Sequence, residues 1–585
     1  GGRLSVSADA NLGAASGGLT FNGGTLLATA SFDTSRSVSL QHTGVFDVAA
    51  DATLGLTGAV SGTGDLQKRG SGTLRLDNVS NGYGNTQVEA GTLIGNARSI
   101  SGNINNIGTV VFDQATDESF AGTIRGFDGA SGSMVKQGAG KLTLTGISSL
   151  NWSITGGDLT AAAERFLGNA KIGTGASLTF DQSADASYGG ALIGTGNFIK
   201  SGMGSLTLTS TNSYTGATTI DGGALIVNGA IDSHLGGVAV NSGGTLSGMG
   251  TIAGTVTVNS GGTLSGLSGT TLTMGSLTLN TGSSVNVTLG VPSTTALFNV
   301  TGNLTLGGTL NVSGQGDFGA GVYRLIDYGG TLTNNGLAIG TTPGGTPASD
   351  FFVQTAVAGQ VNLLNSSGQT LGFWDGSQIV ANGTIDGGTG TWSATNTNWT
   401  NIDGTLNAPF HPNPTFAVFQ GTAGTVTVDT SAGAIGVTGL QFVKTNYLIQ
   451  GGEIALQGAG GSTTVRVGDG TAGGAGTSAT IASVLTGASA VVRDDLGTLI
   501  LSGNNSYGDT QVKAGTLVGH ARSISGNIGN AGTVVFEQAT DGAFAGTIAG
   551  LDGTAGSMVK QGAGNLTLTG ISSLDWSITA GGLIT

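Results

Sequence analysis

The sequence predicts an all-β chain wound as a right-handed parallel β-helix, and three observations carry the prediction. Runs such as Ser205-Leu-Thr-Leu-Thr209 alternate apolar and polar residues strictly, which marks a strand with one buried face. Gly and Asn clusters separate the runs, and those residues accept positive φ cheaply, so they make tight corners. The same unit then recurs along the chain. One unit offers only a narrow apolar face on each short strand and cannot bury it alone. Copies stacked above and below can, which is the logic of a solenoid.

The fullest unit is Lys200 to Val227, where a basic residue precedes a Gly-x-Gly turn, three alternating runs and an Asn-Ser-Tyr-Thr-Gly corner. Its opening returns as Lys68-Arg-Gly-Ser-Gly-Thr-Leu-Arg-Leu76, Lys136-Gln-Gly-Ala-Gly-Lys-Leu-Thr-Leu144 and Lys560-Gln-Gly-Ala-Gly-Asn-Leu-Thr-Leu568, and in degenerate form from Arg493 to Leu501. The corner returns at Asn81-Gly-Tyr83 and Asn505-Ser-Tyr507. A finer period places Val240–Gly248 again at Val258–Gly266, so one turn takes about 18 to 25 residues. These motifs together resemble the passenger-associated transport repeat of autotransporters, bacterial surface proteins secreted through their own outer-membrane barrel. Flanking rungs extend the resemblance over most of the chain, in the manner of a large monomeric autotransporter adhesin.

In chain order, residues 1–65 alternate β runs with Gly or Asp turns, as at Gly24–Thr29 and Val45–Val48. Residues 66–230 hold the first three repeats. Within them Leu159-Thr-Ala-Ala-Ala-Glu-Arg-Phe-Leu167, followed by Gly168, predicts about two helical turns as a corner decoration. Residues 231–290 are regular Gly-Gly-Thr-Leu rungs, and 291–365 resemble the closing segment of a passenger module. Punctuation then changes: Pro343, Pro347, Pro409, Pro412 and Pro414 fall together, and so do Trp374, Trp392 and Trp399. Proline donates nothing to a ladder, so the stack should bulge or break here. The expected modules are 1–365, a new module opening over 366–490, and rungs at 491–585 that duplicate 67–161. Tyr83–Ala161 realigns with Tyr507–Thr585 at a constant offset of 424 residues, which marks a duplicated module in a very large parent.

Composition narrows the function. Only 9% of residues are charged, against about 25% in ordinary domains, so Thr, Ser, Asn and Gly must cover the exterior. A net charge of −14 opposes a nucleic-acid partner, which needs a basic stripe. Cysteine is absent, as suits a chain that crosses a membrane unfolded after an oxidising compartment. No run of 18 apolar residues is present, so no helix is expected to span a bilayer. The chain begins and stops in mid-pattern and is expected to be a cut piece, without its leader or its C-terminal barrel.

Catalytic chemistry finds little to stand on. His42, His234, His411 and His520 are scattered, and neither a Gly-x-Ser-x-Gly nor a His-Glu-x-x-His pattern occurs. Acidic groups cluster at Asp113, Asp117 and Glu118, at Asp181 and Asp185, and at Asp494 and Asp495 beside Arg493. β-Helical polysaccharide enzymes use paired carboxylates, but these fall on turns. Gly468–Gly476 lacks the register of calcium-binding nonapeptides. No enzyme activity, cofactor or metal is expected. The candidate ligand contacts are Trp374, Trp392, Trp399, Phe410 and His411, since exposed aromatics on loops carry much binding energy. The other reading, which the resemblance of this stretch to the opening of a new autotransporter module favours, is that the tryptophans close the hydrophobic end of that module. Deleting residues 405–415 is expected to leave the β structure intact while lowering adhesion. The resemblance implies a surface adhesin for a host or matrix protein or glycan, with self-association on neighbouring cells or a structural surface stalk as the alternative and a polysaccharide-degrading enzyme behind both.

Overall fold

Alternation is used in the way it predicts. Leu54, Leu74, Leu93, Val110, Met134 and Trp152 lie over one another in successive parallel strands and are all buried. The duplicated rungs repeat the column as Ala479, Leu499, Leu517, Val534, Met558 and Trp576. Outward residues of the same strands are half-exposed. The computed structural model describes every residue except Gly1, Ser233, His234, Thr294, Asp317, Ala320, Ser367, Gln369 and 469–471. Among the described residues the chain is all-β, a solenoid of about 27 stacked parallel turns. No helix among them is long and apolar enough to cross a membrane. At the usual spacing between strands this is a rod on the order of 130 Å.

The expected helix is absent. Asp158–Ala161 is a strand, and only Ala163–Arg165 forms a single 3-10 turn. Leu159 and Ala161 are stacked on Leu142 and Leu144 on one side and on Leu178 and Phe180 on the other. Strand partners waiting on both sides outweigh the helix propensity of an Ala-rich run, which is a weak preference for so short a segment.

Among the described residues the parallel stack is interrupted once, at a seam between 321 and 419. Gly321–Tyr328 and Phe351–Gln354 each pair antiparallel with Gln360–Asn365. Leu371–Trp374 then pairs in parallel with Thr415–Phe419 and antiparallel with Trp399–Thr400, and regular parallel turns resume at Ile435–Phe442. One hydrophobic column runs up to Leu363 and a second starts at Trp374. A small cluster of Val322, Leu364, Phe373, Ile385, Phe416 and Val418 joins the two. Val322 N–H donates to Gln441 Oε1 at 3.1 Å and Gln354 Nε2 to the Ile402 carbonyl at 3.2 Å, so polar links cross the seam as well.

Candidate binding site

The seam gathers four of the five candidate contact residues and buries them. Trp374 and Trp392 have no exposed surface, and Trp399 and Phe410 have almost none. Trp399 packs against Trp374, Trp392, Phe410 and Phe419 at ring-centre distances of 5.2, 4.8, 4.4 and 5.7 Å. Phe419 stacks in turn on Phe442 at 5.0 Å, which carries the ring cluster into the second column. The Trp374 indole N–H donates to the Gly388 carbonyl at 2.8 Å. The four rings therefore touch one another and plug the start of the second column, and they present no face to a ligand. His411 alone of the five is exposed. Nor is 405–415 a free loop, because it carries Phe410 and Thr415 into the core.

The exposed feature at the seam is a cleft of about 380 Å³ whose lining includes Ser349, Asp350, Phe352, Ser366, Leu371 and Ile402. Phe351 and Phe352 alternate across their strand: Phe351 points into the first column, and Phe352 stands outward with 40% of its surface exposed. Asp350 closes the turn before that strand, and its backbone carbonyl accepts the Ser366 N–H at 2.8 Å. Among the described residues nothing donates to its carboxylate. Sequence reading missed this cleft, since its residues come from three separated segments. The Phe-Phe pair at 351–352 was the one available signal, as alternation must turn one of two adjacent rings outward.

The remaining candidates stay apart. His42 is on an exposed turn, His520 Nε2 lies 3.3 Å from the Ser502 carbonyl, and His234 is outside the described residues, as are residues 469–471 of the Gly468–Gly476 run. Asp117 and Asp185 accept the amides of Lys141 and Ser205, one turn on, both at 2.8 Å. The Ser205 amide and hydroxyl hold the Asp185 carboxyl below its ordinary value. Glu118 faces Arg98 at 3.7 Å, and Asp494 pairs with Arg466 at 3.2 Å. Among the described residues no three His, Asp or Glu side chains assemble as a metal site.

The repeated basic residues are core residues, with no exposed surface at Lys68, Lys136, Lys200, Arg493 or Lys560. Lys136 is stacked between Phe112 and Ile154, and Lys200 between Phe180 and Ile220. Each ammonium turns its three N–H donors to three carbonyls. Lys136 Nζ reaches those of Gln137, Gly138 and Gly156, all at 2.9 Å, and Lys200 Nζ those of Ser201, Gly202 and Gly222 at 2.7, 3.0 and 2.9 Å. Lys68 and Lys560 repeat the arrangement with Ala90 and Ala580 as the distant acceptors. Arg493 makes the same clamp through the carbonyls of Asp494, Asp495, Gly497 and Thr516. Each clamp thus joins its own corner to the following turn. Phase would have revealed it, because Met134, Phe198 and Met558 point inward two residues before their lysines.

The passenger-associated-transport-repeat family matches this chain five times, at residues 66–94, 134–161, 198–227, 492–518 and 558–583. Every match contains one of the five clamps. The adhesin BmaC autotransporter of Brucella suis biovar 1 (strain 1330) is 38% identical over an alignment of 442 residues that covers 66% of this chain. The chain belongs to the autotransporter passengers. It spans about 12% of that relative's length. In this passenger the family's repeat is one physical device: a buried cation, the Gly-x-Gly corner whose carbonyls it binds, and the Gly-x-Leu of the next turn that closes over it.

Proposed function

We propose that this passenger is the rod of a bacterial surface adhesin, held at the outer membrane in the full-length protein and binding host cells or extracellular matrix without catalysis. The modules expected at 1–365, 366–490 and 491–585 would be successive lengths of that rod. The observation that supports the reading best is an outward face kept polar over many turns. Thr143, Thr160, Thr179, Thr219, Thr257 and Thr278 occupy one outward column, interrupted by Ile199 and Ala239 and continued by Thr305 and Thr333. Beside it runs an amide ladder, Asp221–Asn241–Asn259–Asn280, with links of 2.7, 2.8 and 3.0 Å. Short hydroxyl and amide groups at fixed spacing suit many weak, simultaneous contacts along an extended partner. The relative named as an adhesin points the same way.

The test is display of the chain on a non-adherent bacterial host. Attachment to epithelial cells or matrix-coated wells, above that of the empty host, is the expected result. Clumping of displaying cells with one another, without attachment, would replace this reading with self-association.

A further inference from the structure

We propose that the seam cleft is a binding site for a neutral sugar, of one or two rings, at a terminus or branch of a host glycan. The inference rests on the adhesin reading for its biological setting and on the cleft's own chemistry for its ligand class. A pyranose has an apolar face of C–H groups and an edge of hydroxyls. The cleft offers the complement of both: Phe352, Leu371 and Ile402 as apolar surface, and the Asp350 carboxylate with the Ser349 and Ser366 hydroxyls as polar edge. The half-exposed Phe352 ring provides a platform, and aromatic rings carry much of the energy in such contacts. Asp350 is an unengaged acceptor that can take two vicinal hydroxyls.

Charge selects among sugars. Among the described residues the lining holds one carboxylate and no Lys, Arg or His, within a chain of net charge −14. A sialylated, uronic or sulfated glycan would bring its anion beside Asp350 with nothing to offset the repulsion. Size agrees, since about 380 Å³ lies near the lower end of the ordinary range for small-ligand pockets, roughly 300–1,000 Å³. The location also fits. At the seam, antiparallel strands and their loops enclose the space that the ligand would fill.

The experiment uses the whole 585-residue chain, with ligand-observed NMR and calorimetry against a panel of neutral mono- and disaccharides and their sialylated and sulfated counterparts. At least one neutral sugar is expected to bind, with its charged counterpart weaker. Phe352→Ala and Asp350→Asn should each weaken that binding about tenfold or more, with unchanged circular dichroism. Ser349→Ala, whose neighbours remain as donors, should weaken it less than either. Preference for the anionic sugars, capture of an extended peptide instead, unaltered binding in both principal variants, or no binding of any neutral sugar would each overturn the proposal. The two variants are also displayed on cells. Adhesion that survives both removes the cleft and leaves the adhesin standing, whereas a wild-type chain that binds sugar through the cleft but never adheres removes the adhesin alone.

Discussion

Lys136 sets two residue-scale effects against each other. Removing its charge relieves a desolvation cost, but it also strips the donor from the carbonyls of Gln137, Gly138 and Gly156. Unsatisfied buried acceptors cost about 1–3 kcal/mol, and here several are orphaned at once, so Lys136→Met is expected to destabilise by about that much in urea melts. Equal stability would mean that water reaches those carbonyls. Gly157 belongs to the same device. Its φ is +64°, and an added Cβ would come within 2.5 Å of the Gly138 carbonyl oxygen and 2.8 Å of Lys136 Nζ. Gly157→Ala should therefore cost about 1–3 kcal/mol in the same assay, although it removes no hydrogen bond. Lys68 adds a pH dependence. Burial lowers its ammonium from 10.5 to about 8, opposed by the Asp47 carboxylate. Between those two values the unfolded chain holds a proton that the folded chain has released, so stability rises with pH across that window, and below it the burial cost is felt in full. The urea midpoint of the wild-type chain should climb from pH 8 to pH 10 relative to that of Lys68→Met. A constant difference between the two would rule this out.

At the scale of the element, the seam behaves as an end-plug and a coupling. Trp399 touches four other rings, so Trp399→Ala should cost about 3–5 kcal/mol. Near-UV circular dichroism should lose much of its aromatic signal while the far-UV β spectrum persists. If both spectra are retained, the ring cluster is not the plug described here. Excision of 405–415 is expected to behave like the tryptophan variant, since Phe410 goes with it. The exposed positions of the same segment are different: His411→Ala and Leu406→Ser should stay within about 0.5 kcal/mol of wild type. Composition alone leaves this segment open between an exposed aromatic recognition loop and the closed end of a module. Proline and tryptophan carry no record of which side of a coil they face, and Trp374, Trp392 and Trp399 were drawn inward by Phe419 and Phe442, which come later in the chain.

The whole molecule is a stack in which every turn is template and cover for its neighbours. If the polar columns carry adhesion, attachment should fall little from low to high salt, because only 9% of residues are charged and surface charge pairs are what salt screens. A steep loss would assign attachment to the few exposed charges instead. The fold class was legible beforehand because strand alternation and glycine corners are local properties, written within eight or ten residues and then repeated. So was the duplication, since identity at a fixed offset needs no coordinates. Burial of the lysines was half legible: the inward phase of Met134 and Phe198 implied it, but three carbonyl acceptors become available only once the next turn is docked. The strand at Asp158–Ala161 was misread as helix for the same reason, its partners lying a turn away on either side. The cleft beside Phe352 could not be read at all, because Asp350, Ser366 and Ile402 meet only through the antiparallel pairing of the seam. Periodicity by itself thus determined that this chain winds into a parallel coil. Tertiary structure alone decided which cations and rings the coil swallows and where it leaves a concave surface, since burial depends on what the neighbouring turn lays over a side chain.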